Sequence, residues 1–257
     1  MKDVNKVTNI ILSGCGGAMG RAVHARAGSV GCDIVAGIDP AAGLQMPYPV
    51  FASAAACDVK ADVIVDFSHP AALEGLLELA RSGATPLVLA TTGLDEAQLT
   101  RVREAAAETP IFFSFNMSLG INLMSALARM ATKVLGGQFD IEIIEKHHRR
   151  KLDAPSGTAI MLAQAVSAEL TTPPEYIHER HSKRQPRGQN EIGMHAVRGG
   201  TIVGEHELLF AGQDETLSIT HAAYSREVFA TGALSAARFM AGKPPGLYDM
   251  NDLINDG

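Results

Sequence analysis

The 257-residue sequence has no tryptophan, and aromatic residues make up only 5% of it. Its three cysteines, Cys15, Cys32 and Cys57, are odd in number and form no Cys-x-x-Cys pair. That argues against a disulfide framework or a structural zinc site, and no metal is expected. Long apolar runs are also missing. Nothing approaches the ~20 residues of a membrane-spanning helix, and the opening MKDVNKVTN is too polar for a secretory leader. The expected location is the cytoplasm. Basic charge is in deficit, with 22 Lys and Arg against 28 Asp and Glu and a formal net charge of -6. Such a chain is a poor general binder of nucleic acid or anionic membrane, so any anion site must be local.

Apolar residues make up 46% of the chain, with 25 glycines, enough for one large core or two modest ones. Apolar runs at 7–13, 33–39, 63–67, 86–90 and 111–115 read as buried strands. Helical stretches at about 19–27, 70–82 and 95–107 separate them. This alternation predicts an α/β fold, a Rossmann-type parallel sheet covered on both faces.

The pattern changes after Asn116. A helix over 120–135, a strand at 140–145 and a helix at about 158–170 precede a polar loop at 171–191. Three extended runs follow at 192–198, 201–210 and 216–223, the first two joined in a hairpin around Gly199-Gly200. A second α+β domain on a mixed or antiparallel sheet is expected. A helix at 228–241 would return to the first domain. The expected division is 1–117 plus 228–257 for the dinucleotide and 118–227 for substrate and oligomerisation.

The turn after the first strand reads Gly14-Cys15-Gly16-Gly17-Ala18-Met19-Gly20. Glycines at positions 14, 17 and 20 allow a tight turn and close approach to a pyrophosphate, which the next helix would hold with its free N–H groups. A tight structural turn is the bland alternative. Asp39 ends the second strand about twenty residues on, where an acid hydrogen-bonds the adenosine ribose. Neither Ala18 nor Pro40 offers a cation for a 2′-phosphate, and Asp39 would repel one. NADH is therefore expected over NADPH, with Arg21 the residue able to reverse that preference.

Residues 146–151, KHHRRK, concentrate cations and histidines in an otherwise acidic chain. A nucleic-acid patch, a metal pair at His147-His148 and a solvated loop are the competing readings. The next residues, Asp153-Ala154-Pro155-Ser156-Gly157-Thr158, lead into a helix that Ser156 or Thr158 would cap. Its free N–H groups would bind one carboxylate, and Lys151, Arg149 or Arg150 another. Histidine is the natural proton carrier near neutral pH. The stretch therefore reads as the active site of an enzyme reducing a small dicarboxylate.

GCGGAMGR, DFSHP, ATTG, NMSLGIN, EKHHRRKLDAPSGTA, RGGTIVGEHELLFAG, ITHAAYSREVFATGA and GLYDMNDL together cover most of the chain. In them it resembles the 4-hydroxy-tetrahydrodipicolinate (dihydrodipicolinate) reductase family. The resemblance implies an NAD(P)H-dependent oxidoreductase of diaminopimelate and lysine biosynthesis, commonly a homotetramer, acting on a cyclic dicarboxylate. It implies His147 as proton donor and acceptor, Lys151 as a second proton donor, and His148, Gly157 and Thr158 as substrate contacts. Implied cofactor contacts are Gly14, Cys15, Gly16, Gly17, Ala18, Met19, Asp39, Ala90, Thr91, Thr92, Ser114, Phe115, Asn116 and Met117. Ser68, Ala90 and Met117 depart from the family's usual residues. Two rivals stand beside it: an amino-acid dehydrogenase acting on aspartate or diaminopimelate, and a non-enzymatic NAD-bound redox sensor.

Overall fold

The computed structural model describes residues 7–256. Residues 1–6 and Gly257, part of the expected first domain and of the polar N-terminal stretch, lie outside the described residues. In chain order the elements are β1 (Thr8–Ser13), α1 (Ala18–Ala27), β2 (Cys32–Ile38), β3 (Val50–Phe51), β4 (Val63–Asp66), α2 (Leu73–Gly83), β5 (Leu87–Leu89), α3 (Glu96–Ala105) and β6 (Pro110–Phe113). Then come α4 (Leu119–Leu135), β7 (Asp140–His147), α5 (Gly157–Ser167), β8 (Glu175–Ile177), β9 (Glu191–Arg198), β10 (Gly204–Ala211), β11 (Thr216–Ala223), α6 (Glu227–Met240), β12 (Gly246–Tyr248) and α7 (Met250–Asn255). Two compact units result, Met1–Leu119 with Arg226–Gly257, and Gly120–Ser225. No described helix is long and apolar enough to cross a membrane.

The first unit is built on a seven-stranded sheet in the order β12-β6-β5-β4-β1-β2-β3, with every pairing parallel. Its central strands are continuous apolar runs because both faces are covered. Ile10, Leu12, Val63, Val65 and Phe112 meet α1 and α6 on one side. Ile11, Ile64, Leu87, Leu89 and Ile111 meet α2 and α3 on the other. Leu73, Leu76, Leu77 and Ala80 form the buried stripe of α2 at i, i+3, i+4 and i+7. From α6 come Ala230, Ala233, Leu234 and Ala237, all fully buried. Small residues let that helix come close: a Cβ on Gly232 would stand 1.6 Å from the Met117 carbonyl oxygen.

The second unit carries a mixed sheet in the order β11-β10-β7-β9-β8. One face packs on α4 and α5 through Ile141, Ile143, Met194, Leu208 and Phe210. The expected hairpin at Gly199-Gly200 is absent. β9 and β10 do not pair with each other; β7 lies between them, parallel to β9 and antiparallel to β10. The reason is burial: β7 carries Ile141 and Ile143 inward and takes the central position with a partner on each side. The diglycine turn instead wraps the end of that strand, with Gly199 N–H donating to the His147 carbonyl at 2.9 Å and Arg149 N–H to that of Gly200 at 3.3 Å. The tight hairpin is the next one, where Gly212 N–H donates to the Glu215 carbonyl between β10 and β11. β8 lies inside the stretch read as a loop, and β3, β12 and α7 were not expected from the sequence.

Candidate functional site

In the first unit the residues implied for cofactor binding gather at one edge of the sheet. Gly14 to Met19 follow β1, Asp39 follows β2, Ala90 to Thr92 follow β5, and Ser114 to Met117 follow β6. These are carboxyl ends of strands around the point where the strand order reverses, the ligand crevice of open α/β sheets. The strand between them, β4, ends in Asp66, which is 1% exposed. Its carboxylate accepts from Thr91 Oγ1 at 2.5 Å and from Ser68 N–H at 3.0 Å, so it fixes the 90–92 turn.

The loop fits a dinucleotide. Gly14 has φ of +76°, and no side chain caps α1, whose N-cap is Gly17. First-turn N–H groups are thus left for an anion. Asp39 lies against the loop, accepting from Gly16 N–H and Ala41 N–H, each at 2.9 Å. Arg21 is also at hand, its guanidinium bonded to the Gly16 carbonyl. Not every implied residue can contribute a side chain. Cys15, Ala90 and Met117 point into the core, leaving only their backbone for a ligand. Phe115 is exposed and edge-on to Phe113, and Ser114 Oγ donates to the Asn116 carbonyl.

The second unit holds the basic segment. β7 alternates, placing Ile141, Ile143, Glu145 and His147 inward. Lys146 faces the other way and pairs with Glu205 at 3.0 Å, so it is no partner of His147. Glu145, 1% exposed, is the hub. Its Oε2 lies 2.6 Å from His147 Nδ1, and its Oε1 accepts from Ser156 N–H at 3.1 Å. Arg198 grips both oxygens, at 2.7 and 2.6 Å, and also donates to the Asp153 carbonyl. Burial pushes the Glu145 carboxyl up, but the hydrogen bonds from Arg198 and His147 outweigh it and hold the group below the usual carboxylate range. An ionised carboxylate only accepts, so neutral His147 carries its proton on Nδ1 and works through Nε2.

Ser156 caps α5, its Oγ accepting from Ala159 N–H at 3.1 Å. The next residue, Gly157, would have no atom within 4 Å of an added Cβ, so the helix start opens onto free space. Lys151 is turned to Asp153, with 2.9 Å between Nζ and Oδ2. Its ammonium holds the Asp153 carboxyl below the usual range. His148 Nδ1 is buried without a hydrogen-bond partner, and Arg149 and Arg150 are exposed.

Glu145 opens the segment read as the active site, but the sequence suggests no individual role for it, nor for Arg198, His206 or Asp66. The first had a legible signal, a charge on the inward register of a strand. His206, inward on β10 and 4% exposed, packs edge-on to His147 with ring centroids 5.2 Å apart. Ser156 Oγ, which accepts from Ala159 N–H, also shares a hydrogen bond with His206 Nε2 at 3.0 Å. Burial, reinforced by His147, pushes the His206 imidazole down to about 4. Between that value and the unfolded 6.5 the unfolded chain binds a proton that the folded chain refuses. The stabilisation is therefore complete above pH 6.5 and declines as pH falls towards 4, by on the order of 3 kcal/mol. Urea unfolding midpoints measured across that window should fall with pH in the native protein and stay flatter in His206→Gln; equal slopes would refute it.

Two family profiles match the chain: "Dihydrodipicolinate reductase, N-terminus" over residues 8–117 and "Dihydrodipicolinate reductase, C-terminus" over residues 120–254. The 4-hydroxy-tetrahydrodipicolinate reductase of Caldanaerobacter subterraneus subsp. tengcongensis is 49% identical, covering 96% of this chain and 98% of that one. Its counterpart in Clostridium novyi is 46% identical with the same coverage. Among solved structures, a dipicolinate-bound dihydrodipicolinate reductase from Paenisporosarcina sp. TG-14 superposes with a TM-score of 0.79 at 25% identity, covering 95% of this chain and 99% of that one.

Proposed function

Because the chain belongs to the dihydrodipicolinate reductase family, we propose that it reduces 4-hydroxy-tetrahydrodipicolinate, through its dehydrated ring, to tetrahydrodipicolinate on the diaminopimelate route to lysine. One observation carries the assignment of residues: the buried Glu145–His147 pair adjoins, through Ser156, a capped helix start that opens at Gly157. The dinucleotide, when bound, supplies the hydride. The N–H groups at Gly157 and Thr158 hold one ring carboxylate with the positive end of α5. His148 and Lys151 meet the second, Lys151 leaving Asp153 or sharing it. Hydride arrival at the ring carbon leaves an electron-rich, enamine-like ring that needs one proton. His147 delivers it from Nε2, Glu145 stabilising the imidazolium beforehand, while Lys151, the alternative donor of that single proton, screens the developing negative charge.

Gly14 to Met19, Asp39, Ala90 to Thr92 and Ser114 to Met117 hold the dinucleotide in this reading, and NADH is preferred over NADPH. The carboxylate of Asp39, fixed by Gly16 and Ala41, repels a 2′-phosphate. Arg21 is a cation beside the loop that opposes this, and its hydrogen bond to the Gly16 carbonyl keeps it engaged with the loop. A coupled assay with enzymatically made substrate tests both parts. Turnover should appear with either dinucleotide and kcat/KM should be larger with NADH. A larger value with NADPH overturns the preference, and no turnover with either overturns the reaction. We further infer a cytoplasmic homotetramer. Support for assembly comes from Val197, which is exposed, and from Ile144 and Leu209, which are only partly buried; all three lie on the face of the second sheet that α4 and α5 leave uncovered.

A further inference from the structure

Within the second unit, one carboxylate touches both working parts of the proposed site. Glu145 Oε2 meets the imidazole that moves the proton, and Oε1 meets the backbone at Ser156, where the carboxylate cradle begins. A carboxylate shared in this way needs a counter-charge that also fixes its plane. Arg198 supplies both through two hydrogen bonds, and a third to the Asp153 carbonyl ties in the loop between the two parts. These contacts join β7, β9 and the 148–156 loop over a sequence separation of 53 residues from Glu145 to Arg198. Breaking a buried, hydrogen-bonded ion pair leaves an uncompensated charge, so its two members stand or fall together.

We propose that Glu145, locked by Arg198, is a positioning residue that couples proton transfer at His147 to carboxylate binding at the start of α5, so that losing the carboxylate impairs both. The inference rests on the dicarboxylate reading above. A simple scaffold would place Glu145 anywhere in the core. Here each oxygen is committed to a different half of the site, and an amide, with one oxygen and one NH2, can accept at only one of them. A Gln at 145 that keeps its oxygen towards Ser156 turns its NH2 towards His147. Nδ1 must then accept, and the ring proton moves to Nε2, the atom meant to exchange it. Carboxylates that orient catalytic imidazoles act through this choice of tautomer, and the wrong one costs up to about ten-thousandfold in kcat.

The test uses Glu145→Gln and the charge-balanced Glu145→Gln/Arg198→Gln, the latter because a lone buried guanidinium endangers folding of the former. Three quantities are measured on folded protein: the His147 tautomer by nitrogen NMR of labelled imidazole, the affinity for pyridine-2,6-dicarboxylate, and the pH profile of kcat. The charged and titratable groups around His147 and the His206 ring packed on it are Glu145, Arg198 from β9, His221 from β11 and Lys151 from the loop. His206→Gln is therefore profiled alongside. Expected in the Glu145 variants are a His147 signal moved to the Nε2–H form, dicarboxylate affinity down at least about tenfold, and a fall in kcat with a displaced limb of the profile; a packing defect alone produces neither the tautomer change nor the displaced limb. An unchanged tautomer, or unchanged dicarboxylate affinity, in a folded variant overturns the coupling. If the native protein binds no dicarboxylate and does not turn over, the functional reading fails, and the carboxylate half of the inference with it. The tautomer measurement still decides the other half.

Discussion

Replacing His147 by alanine should cut turnover by about a hundred- to ten-thousandfold, the usual contribution of a positioned acid or base, while dinucleotide affinity stays within about twofold. The asymmetry follows from where the residue sits. His147 ends β7 of the second unit, with Nδ1 spent on Glu145, and the dinucleotide loop belongs to the first. Lys151→Ala should produce a fall of similar order with a larger rise in KM, because its ammonium is asked both to bind a carboxylate and to donate a proton. Steady-state kinetics with NADH, beside a fluorescence titration of the dinucleotide, separate these effects. Near-native kcat in both variants would sink the catalytic assignment. A matching loss of dinucleotide affinity in His147→Ala would point to a folding defect instead.

The second large effect is expected from a single methyl group. A Cβ on Gly20 would stand 2.2 Å from the Gly14 carbonyl oxygen and 2.7 Å from the Cys15 Cα. Both are backbone atoms, so no side chain can swing aside, and the turn from β1 into α1 must open. Overpacking of that kind costs about 1–3 kcal/mol. If the strain is relieved only by leaving the binding-competent shape, it converts to roughly a five- to hundredfold loss of dinucleotide affinity. Gly20→Ala should therefore weaken NADH binding by at least about fivefold in calorimetry. Gly17→Ala, whose Cβ would stand 3.2 Å from the same oxygen, should lose much less. Equal affinities for the two variants would show that the loop does not need this closeness.

How much of this was legible beforehand depended on whether the information was local. The parallel sheet announced itself because each of its main strands is a short apolar run with a helix behind it, and GCGGAMG marked the ligand edge. Ser156-Gly157 marked the start of α5 by composition alone. The order of strands in the second unit was not legible. Gly199-Gly200 carries a genuine turn signal, yet what pairs across it is decided by β7, some fifty residues earlier. Arg198 and His206 were hidden for the same reason, since their roles exist only once β9 and β10 flank β7. Glu145 was readable from β7 alone, because period-two alternation places it beside Ile141 and Ile143, where a charge requires a partner. Asp66 gave less warning: β4 is buried on both faces, so a terminal acid looks like the edge of the run.

The helix α6 carries a consequence for synthesis of the chain. Its alanines close one face of the first unit's sheet, yet it follows the entire second unit in sequence. A nascent chain that has emerged as far as Leu119 therefore has only α1 to lay against the apolar side of β1, β4 and β6, and the part that α6 covers stays exposed. Roughly a hundred further residues must be made first, which at about 5–20 residues per second takes roughly 5–20 s. During that interval the second unit, contiguous from Gly120 to Ser225, has all its strands in hand before the dinucleotide-binding half can finish. The half that emerges first from the ribosome is thus the last to complete its core, and it is the half for which a chaperone has the longest opportunity to act.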